Sequence, residues 1–564
     1  MIFSDRKYCH GATRADGRYV DDLLIPQLSE LAGDYGVDGV WVDGECWKTI
    51  ADFRPESLAA FEKETGIDLG GQIPADPNDP YYDEYREYHR ELFRRYLRHY
   101  VDRLHEKYPD FQIASNWAFS DHMPEEVCAN VDYLSGDLNP YSSFHSARYA
   151  ARALAQQEGY AWDLMSWNFR VKVGNHAACV AKHPKQIMQE AAAVISLGGA
   201  YQNYIMQYKD GSPNMTDLRN LVPLTEFLRE REDYCFRGTP IHQAALLLST
   251  YDRNRESYSL YSRNGYEKIM GMTSLLCDIG QSLEIICEHT LKKHRDEYKM
   301  IVVPELYRGL APETVESLLN YAKAGGQLVL SGKKTCAFFA AADTPFEVKE
   351  HAQYFGANEK AYDNGGDNGH GKNPEALLKS YYFTMDNTSF GSLVSPCELA
   401  AKDGKALAFL AEDLPSERVP LVMTVPYGQG SITAIGFDIG SQYLDGTQYM
   451  HRHLMSLICD SLYTPMVKVE SVCGRLEIVM LRKNEKTMIQ LINAGGTHAD
   501  PTSATDDQIP PVLDISLSIA LDKKPRALRL QPEGRILDFD YRDGRAYVNV
   551  PRVNIHNILE IVES

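Results

Sequence analysis

Two acidic side chains stand where an apolar segment ends. The run Val37-Asp38-Gly39-Val40-Trp41-Val42 has the character of a short buried strand, and it leads directly into Asp43-Gly44-Glu45-Cys46-Trp47. At the C-terminal end of a strand in a parallel α/β barrel, a carboxylate is placed for catalysis. Asp43-Gly44 is equally the composition of a turn, and this segment alone does not decide between the two. Similar endings recur along the chain. Ile113-Ala114-Ser115 leads into Asn116 and Trp117, Tyr133-Leu134-Ser135-Gly136 into Asp137-Leu138-Asn139, and Leu164-Met165-Ser166 into Trp167 and Asn168. Gln202, Tyr204, Gln207 and Tyr208 decorate one further strand. Carboxylates, amides and flat aromatics together suit a sugar ring. Acids serve bond cleavage, amides take hydroxyls, and indoles cover the apolar ring face.

The elements that must position these groups alternate between helix and strand periodicity. Helices are expected over 20–35, 82–108, 124–130, 143–157, 184–197 and 215–234, and strands over 37–42, 111–115, 133–135, 161–166 and 201–206. This alternation is that of parallel βα units. It supplies about five strands, where a closed (β/α)8 barrel needs eight and ~250 residues. The expectation is a catalytic (β/α) barrel domain over 1–238 that lacks its first strands and leaves strand 37–42 with an unpaired edge. From Thr239 the pattern restarts, with strands over 243–248, 283–286, 300–304 and 327–330 and helices over 266–278 and 312–324. A doubly wound α/β domain over 239–465 follows from that. Residues 357–374 read as a loop, and strands return over 421–425 and 431–437. Beyond Pro465 short strands and turn residues predict a β-sandwich over 466–564.

Two other signals are set aside. Ser331-Gly332-Lys333-Lys334-Thr335 has part of a phosphate-loop pattern, but its glycine spacing is wrong. His451 and His453 are two apart on an expected helix and face different directions, which is no metal pair.

Composition narrows the function classes. The chain has 564 residues and a formal net charge of −20, which disfavours nucleic acid and anionic membranes as partners. No apolar stretch is long enough for a transmembrane helix, and Met1–Lys7 lacks the apolar core of a signal peptide. Eleven scattered cysteines without a CxxC pair fit reduced thiols in a cytoplasmic protein. All five tryptophans (Trp41, Trp47, Trp117, Trp162 and Trp167) lie in the first third, so that third differs in task from the rest.

The segment Tyr35-Gly36-Val37-Asp38-Gly39-Val40-Trp41-Val42-Asp43-Gly44 resembles the strand that carries the nucleophilic aspartate of α-L-fucosidases in glycoside hydrolase families 29 and 151. The stretch from Tyr298 to Gly332 resembles the trimerisation domain of family 42 β-galactosidases, a glutamine-amidotransferase-like fold without its catalytic residues. The combination resembles the hypothetical glycosyl hydrolase proteins allied to family 151. The resemblance implies Asp43 as nucleophile of a retaining, exo-acting α-L-fucosidase that needs no metal or organic cofactor. It also implies an oligosaccharide or glycoside substrate and a homo-oligomer, dimer or trimer. Asp137 and Glu45 are the candidates, by position, for the general acid. Trp47, Asn116, Trp117, Trp167, Asn168, Tyr204 and Gln207 are the candidate sugar contacts. The substrate-contacting histidines on the early barrel strands of family 29 have no match here. Two alternatives stand: a family 42 β-galactosidase, whose glutamates at both catalytic positions an Asp43 nucleophile disfavours, and a non-catalytic carbohydrate-binding or assembly protein. Carboxylates ~5–5.5 Å apart would mean retention, and ~6.5–9.5 Å inversion.

Overall fold

The computed structural model describes residues 2–3, 11–12, 15–43, 51–139, 143–171, 179–256, 265–349, 381–386, 388–411, 418–496 and 505–563. The chain divides into two compact units. The first comprises Met1–Asp137, Gln157–Asp163 and Arg253–Asn264. The second comprises Leu138–Gln156, Leu164–Asp252 and Gly265–Ser564.

The first unit is organised on the 26-residue helix Tyr82–Lys107. Asp83 and Glu84 at its start and His105 and Lys107 at its end complement the helix dipole, and Pro109 follows. Tyr85, Tyr88, Leu92, Leu97, Tyr100, Val101 and Leu104 are buried at helical spacing. Phe61, from helix Pro55–Thr65, packs edge-on against Tyr85 with ring centres 5.1 Å apart. Val20, Leu24 and Leu28 are the buried residues of the N-terminal helix, whose first stretch, Val20–Leu24, is a π-turn running into Ile25–Gly33.

Strand β1 (Gly39–Val42) pairs in parallel with β2 (Gln112–Ser115), Gly39 opposite Gln112 and Val42 opposite Ser115. A Cβ at Gly39 would lie 2.5 Å from the Gln112 carbonyl oxygen, so this register requires glycine there. A parallel bridge from Asn116 to Ser135 then joins β3 (Tyr133–Asp137). Among the described residues β1 pairs with β2 alone. The helix expected over 124–130 is absent. Arg94 binds the Glu125 carboxylate through two bonds of 2.8 Å, and Gln157 Nε2 donates to the Glu125 carbonyl at 2.7 Å. Gln157 thereby takes a backbone carbonyl that a helical turn would have used, and the segment is a loop.

In the second unit the remainder of β4 (Ala161–Trp167) neighbours β5 (Ala200–Tyr204), with the Asn168 amide donating to the Tyr204 carbonyl at 2.8 Å. No closed barrel is present among the described residues. The single helix expected over 215–234 is three: Met215–Asn220, Val222–Arg229 and Glu232–Cys235. Pro223 in the first turn of the second helix is the reason, because proline starts a helix but cannot continue one.

The large sheet of this unit has nine strands. Five are parallel, in the order Leu283–Ile286, Ala244–Leu247, Met300–Val303, Gln327–Ser331 and Gly430–Ile435. The doubly wound pattern ends there. Pro420–Tyr427 runs antiparallel to Gly430–Ile435 through the two-residue turn Gly428-Gln429, which is too short for a parallel crossover. Lys405–Ala411, Tyr381–Thr384 and Phe390–Leu393 continue antiparallel, so the domain is mixed rather than purely doubly wound. The loop expected over 357–374 lies outside the described residues. The phosphate-loop-like Gly332-Lys333-Lys334-Thr335 opens helix Lys333–Ala340, whose first amides Lys334 and Thr335 donate to the Glu305 carboxylate. A side chain of the protein already fills that anion site.

The C-terminal region is antiparallel, as expected. One six-stranded sheet runs Thr239–Ile241, Leu476–Lys483, Lys486–Asn493, His556–Val562, Ala527–Gln531 and Arg535–Leu537. A four-stranded sheet holds Val467–Cys473, Val512–Ala520, Arg545–Val553 and Phe539–Arg542. Ile478, Leu491, Ile515, Leu517, Val548 and Leu559 form part of their shared core.

A fully buried ion network ties distant segments of the second unit. Arg148, on helix Ser143–Ala155, donates to Asp278 Oδ1 at 2.7 Å and to Glu477 Oε2 at 2.6 Å. Arg152 donates to Glu477 Oε1 at 2.7 Å and to the Leu283 carbonyl at 2.9 Å. All four charged side chains are 0% exposed. Burial alone would push the two acids up, but the guanidiniums, Arg148 foremost, hold both below the usual carboxylate range. The imidazole of His242 is pushed down to about 3 by burial and by Arg152, and burial also holds His556 well below 6.5.

Two predictions follow from this packing. Glu477→Gln leaves buried Arg148 and Arg152 undercompensated and is expected to cost ~3–5 kcal/mol in urea melts. A loss under ~1 kcal/mol would mean that the network contributes little. The second concerns pH. His242 and His556 are neutral when folded and protonate near pH 6.5 when unfolded, so their stabilisation is complete above 6.5 and is lost as pH falls below it. Asp278 and Glu477 add a further loss below about pH 4, where the unfolded carboxyls bind protons first. Unfolding free energies measured from pH 8 to 4 should therefore fall from about pH 6.5, by roughly 1 kcal/mol per pH unit for each histidine. A flat profile between pH 7 and 5 would contradict the burial of the two imidazoles.

Candidate active site

The first unit brings three of the candidate residues into direct contact. Asp43 follows the C-terminal end of β1, Asn116 follows β2, and Asp137 ends β3. Side chains alternate across a strand, so Trp41 and Asp43 share one face of β1 and Ser135 and Asp137 one face of β3. Asn116 is 0% exposed, Asp137 half-buried and Asp43 exposed. Asn116 Nδ2 donates to Asp43 Oδ1 at 2.9 Å and to Asp137 Oδ2 at 2.8 Å. Two bonds of these lengths meeting at one nitrogen put the two accepting oxygens no more than about 5.7 Å apart. One of these carboxylates can attack a carbon while the other transfers a proton to or from an atom bonded to it.

The turn after Asn116 is unusual. Trp117 and Phe119 both have left-handed backbones, with φ of 65° and 57°. Left-handed non-glycine residues cluster at functional sites, where the surroundings hold them in place. The Trp117 indole lies 5.0 Å, centre to centre, from the His122 ring, and Asp121 and His122 are both buried.

Neither Asp121 and His122 nor two further groups of this unit were read from the sequence as site residues. Trp41 stands one residue pair before Asp43 on the same face, and its buried Nε1 has no hydrogen-bond partner among the described residues. Asp163 accepts from Ser135 Oγ at 2.5 Å, and the Tyr133 phenol beside it is raised by burial and then by the Asp163 charge. Alternation along 161–167 was the signal available for Asp163, since it shares a strand face with Trp167. Glu45 and Trp47 lie outside the described residues.

The other candidates belong to the second unit. Trp167, Phe169 and Tyr204 form a ring cluster, with Trp167 and Tyr204 edge-on at 6.0 Å and Trp167 and Phe169 at 5.4 Å. Tyr204 donates its hydroxyl to the exposed Gln207 at 3.5 Å. Asn168 is 0% exposed, and neither atom of its side-chain amide has a partner among the described residues. The strand end is held from its opposite face. Ser166 bonds to Glu190 of helix Pro184–Ile195, and Lys182 Nζ reaches Glu190 at 3.1 Å and Ser166 Oγ at 3.2 Å, with both charged groups 0% exposed. Burial pushes the Lys182 amine down despite Glu190. Among the described residues no cluster of three or more His, Cys, Asp or Glu is placed to hold a metal ion, and no helix is long and apolar enough to cross a membrane.

No protein-family model and no curated protein matches the chain. Solved structures do. α-L-Fucosidase isoenzyme 2 from Paenibacillus thiaminolyticus superposes with a TM-score of 0.72 at 14% identity, over 98% of this chain and 81% of that one. A β-galactosidase from Bacillus circulans sp. alkalophilus gives 0.67 at 12% identity, over 99% and 84%. A catalytic mutant of a family 42 β-galactosidase from G. stearothermophilus gives 0.65 at 12%, over 98% and 83%. At these identities the likeness is one of fold. The chain has the mixed α/β multidomain fold of these glycosidases, with their antiparallel C-terminal β region.

Proposed function

We propose that the chain is a retaining, exo-acting glycoside hydrolase that cleaves α-L-fucosides, with Asp43 as nucleophile and Asp137 as general acid and base. The observation that carries this reading is the meeting of the two carboxylates on one amide, with the accepting oxygens no more than about 5.7 Å apart, a bound that includes the ~5–5.5 Å of a retaining pair. The fold shared with an α-L-fucosidase supports the sugar class.

In the first step an Asp43 oxygen attacks the anomeric carbon, the glycosidic C–O bond breaks, and the Asp137 proton passes to the departing oxygen. In the second, Asp137 takes a proton from water, the water oxygen attacks the same carbon, and the Asp43 ester bond breaks. Two inversions leave the configuration unchanged. Trp117, fixed in its left-handed turn beside Asn116, offers an aromatic face for the apolar side of the sugar. The fold shared with β-galactosidases supports a second reading, cleavage of β-galactosides, which aspartates at both candidate positions disfavour.

A panel of nitrophenyl glycosides tests both. The α-L-fucoside should be turned over fastest, and Asp43→Ala should lower kcat by a factor on the order of 10³ or more. Asp137→Ala should cost ~10²–10⁴, less for activated leaving groups. Azide should rescue Asp137→Ala with an α-fucosyl azide and Asp43→Ala with the β-azide. Preference for the β-galactoside would favour the second reading. No hydrolysis of any glycoside would favour a carbohydrate-binding role.

A further inference from the structure

We propose that Asn116 is the positioning residue of this site, holding both carboxylates with the two hydrogens of a single amide, and that it does not bind the sugar. The proposal rests on the assignment of Asp43 and Asp137 as the catalytic pair.

Asn116 is 0% exposed, so its side chain is not presented to an incoming ligand. Its backbone is fixed from two sides. Its N–H donates to the Val42 carbonyl at 2.8 Å, and the Trp117 N–H donates to the Ser135 carbonyl at 2.9 Å. The residue is thus built into both neighbouring strands, and the left-handed Trp117 turns the chain away immediately after it. A primary amide carries two N–H hydrogens pointing in different directions. Here Asp43 Oδ1 and Asp137 Oδ2 take one bond each, so both donors are spent within the protein.

The amide orientation follows from its two partners. Rotated by half a turn, Asn116 would aim Oδ1 at two carboxylate oxygens, an acceptor against acceptors. In the observed orientation Oδ1 is buried without a partner among the described residues. Leaving an acceptor unpaired is unfavourable, and two bonds to carboxylates, which are stronger than bonds between neutral groups, offset it. The two acids sit on strands that share no ladder with each other among the described residues, β1 and β3, and β2 lies between them. Asn116 is the side chain that joins them across that intervening strand. Its function is to fix the distance and orientation of the nucleophile relative to the acid through both steps.

The test separates positioning from sugar binding and also stands apart from the catalytic assignment. In Asn116→Leu the bridge is lost with little change in volume. On the best glycoside substrate, kcat should fall by about 100-fold or more with KM within about 3-fold, because misplacing a reacting group lowers the rate of the bound complex. A tenfold rise in KM with kcat intact would make Asn116 a sugar ligand and overturn the proposal, as would unchanged kinetics. The second arm needs no activity. Melting temperatures of the wild type, Asn116→Leu, Asp137→Ala and the double variant should be non-additive, the double variant losing clearly less than the two single losses together. Additive losses would overturn the bridge. Non-additive losses in a protein that hydrolyses no glycoside would leave the bridge standing and remove the catalytic reading. If Asn116→Leu does not fold, Asn116→Ser, which keeps one donor, carries the same comparisons.

Discussion

The candidate chemistry depends on one constraint: two acids from separate strands must meet, and a single carboxamide between them makes this possible. Asp43 and Asp137 are brought close by parallel strands whose C-terminal ends lie side by side. Two carboxylates so close repel each other unless something donates to both. Asn116 does so from a fully buried position whose backbone is locked into the ladders on either side. The local sequence around it serves this geometry. Gly39 lets β1 approach β2 at the Gln112 carbonyl, and the left-handed Trp117 ends the strand without carrying Asn116 away from the acids.

In the second unit a different device sets the framework. Arg148 and Arg152 on one helix, Asp278 at the end of another and Glu477 on a strand nearly two hundred residues further on form one dry cluster. Such a cluster is a weak source of net stability compared with an apolar core, because its charges give up hydration. Its value is specificity. A guanidinium buried without its carboxylate is severely unfavourable, so only one mutual placement of these segments satisfies every member. Lys182, Glu190 and Ser166 repeat the device on a smaller scale behind the strand end that presents Trp167.

The strands that end in site residues were legible in the sequence because each is a short apolar run that stops at a polar or aromatic residue. Asp43, Asn116 and Asp137 were all singled out on that ground. Asn116 was read as a sugar contact because an isolated amide at a strand end carries no sign of what lies opposite it. Its partners are 73 and 21 residues away. Asp163 escaped notice because it lies in mid-strand, where only alternation marks its face. In place of the helix expected at 124–130 stands a loop whose Glu125 carbonyl is taken by Gln157, remote in sequence, while Arg94 holds the Glu125 carboxylate. Parallel winding was overextended to strand 421–425 because strand periodicity does not encode direction. The two-residue turn Gly428-Gln429 does, through its length, and it was the clue available.

In the proposed reaction Asp43 attacks the sugar beside Asp137. The most direct measurement is trapping with a 2-deoxy-2-fluoro-fucosyl fluoride, followed by intact mass and peptide mapping. One adduct per chain is expected, on the peptide containing Asp43, formed with time-dependent loss of activity and absent from Asp43→Ala. An adduct on another carboxylate would contradict it, and so would turnover of the α-L-fucoside with net inversion and no adduct.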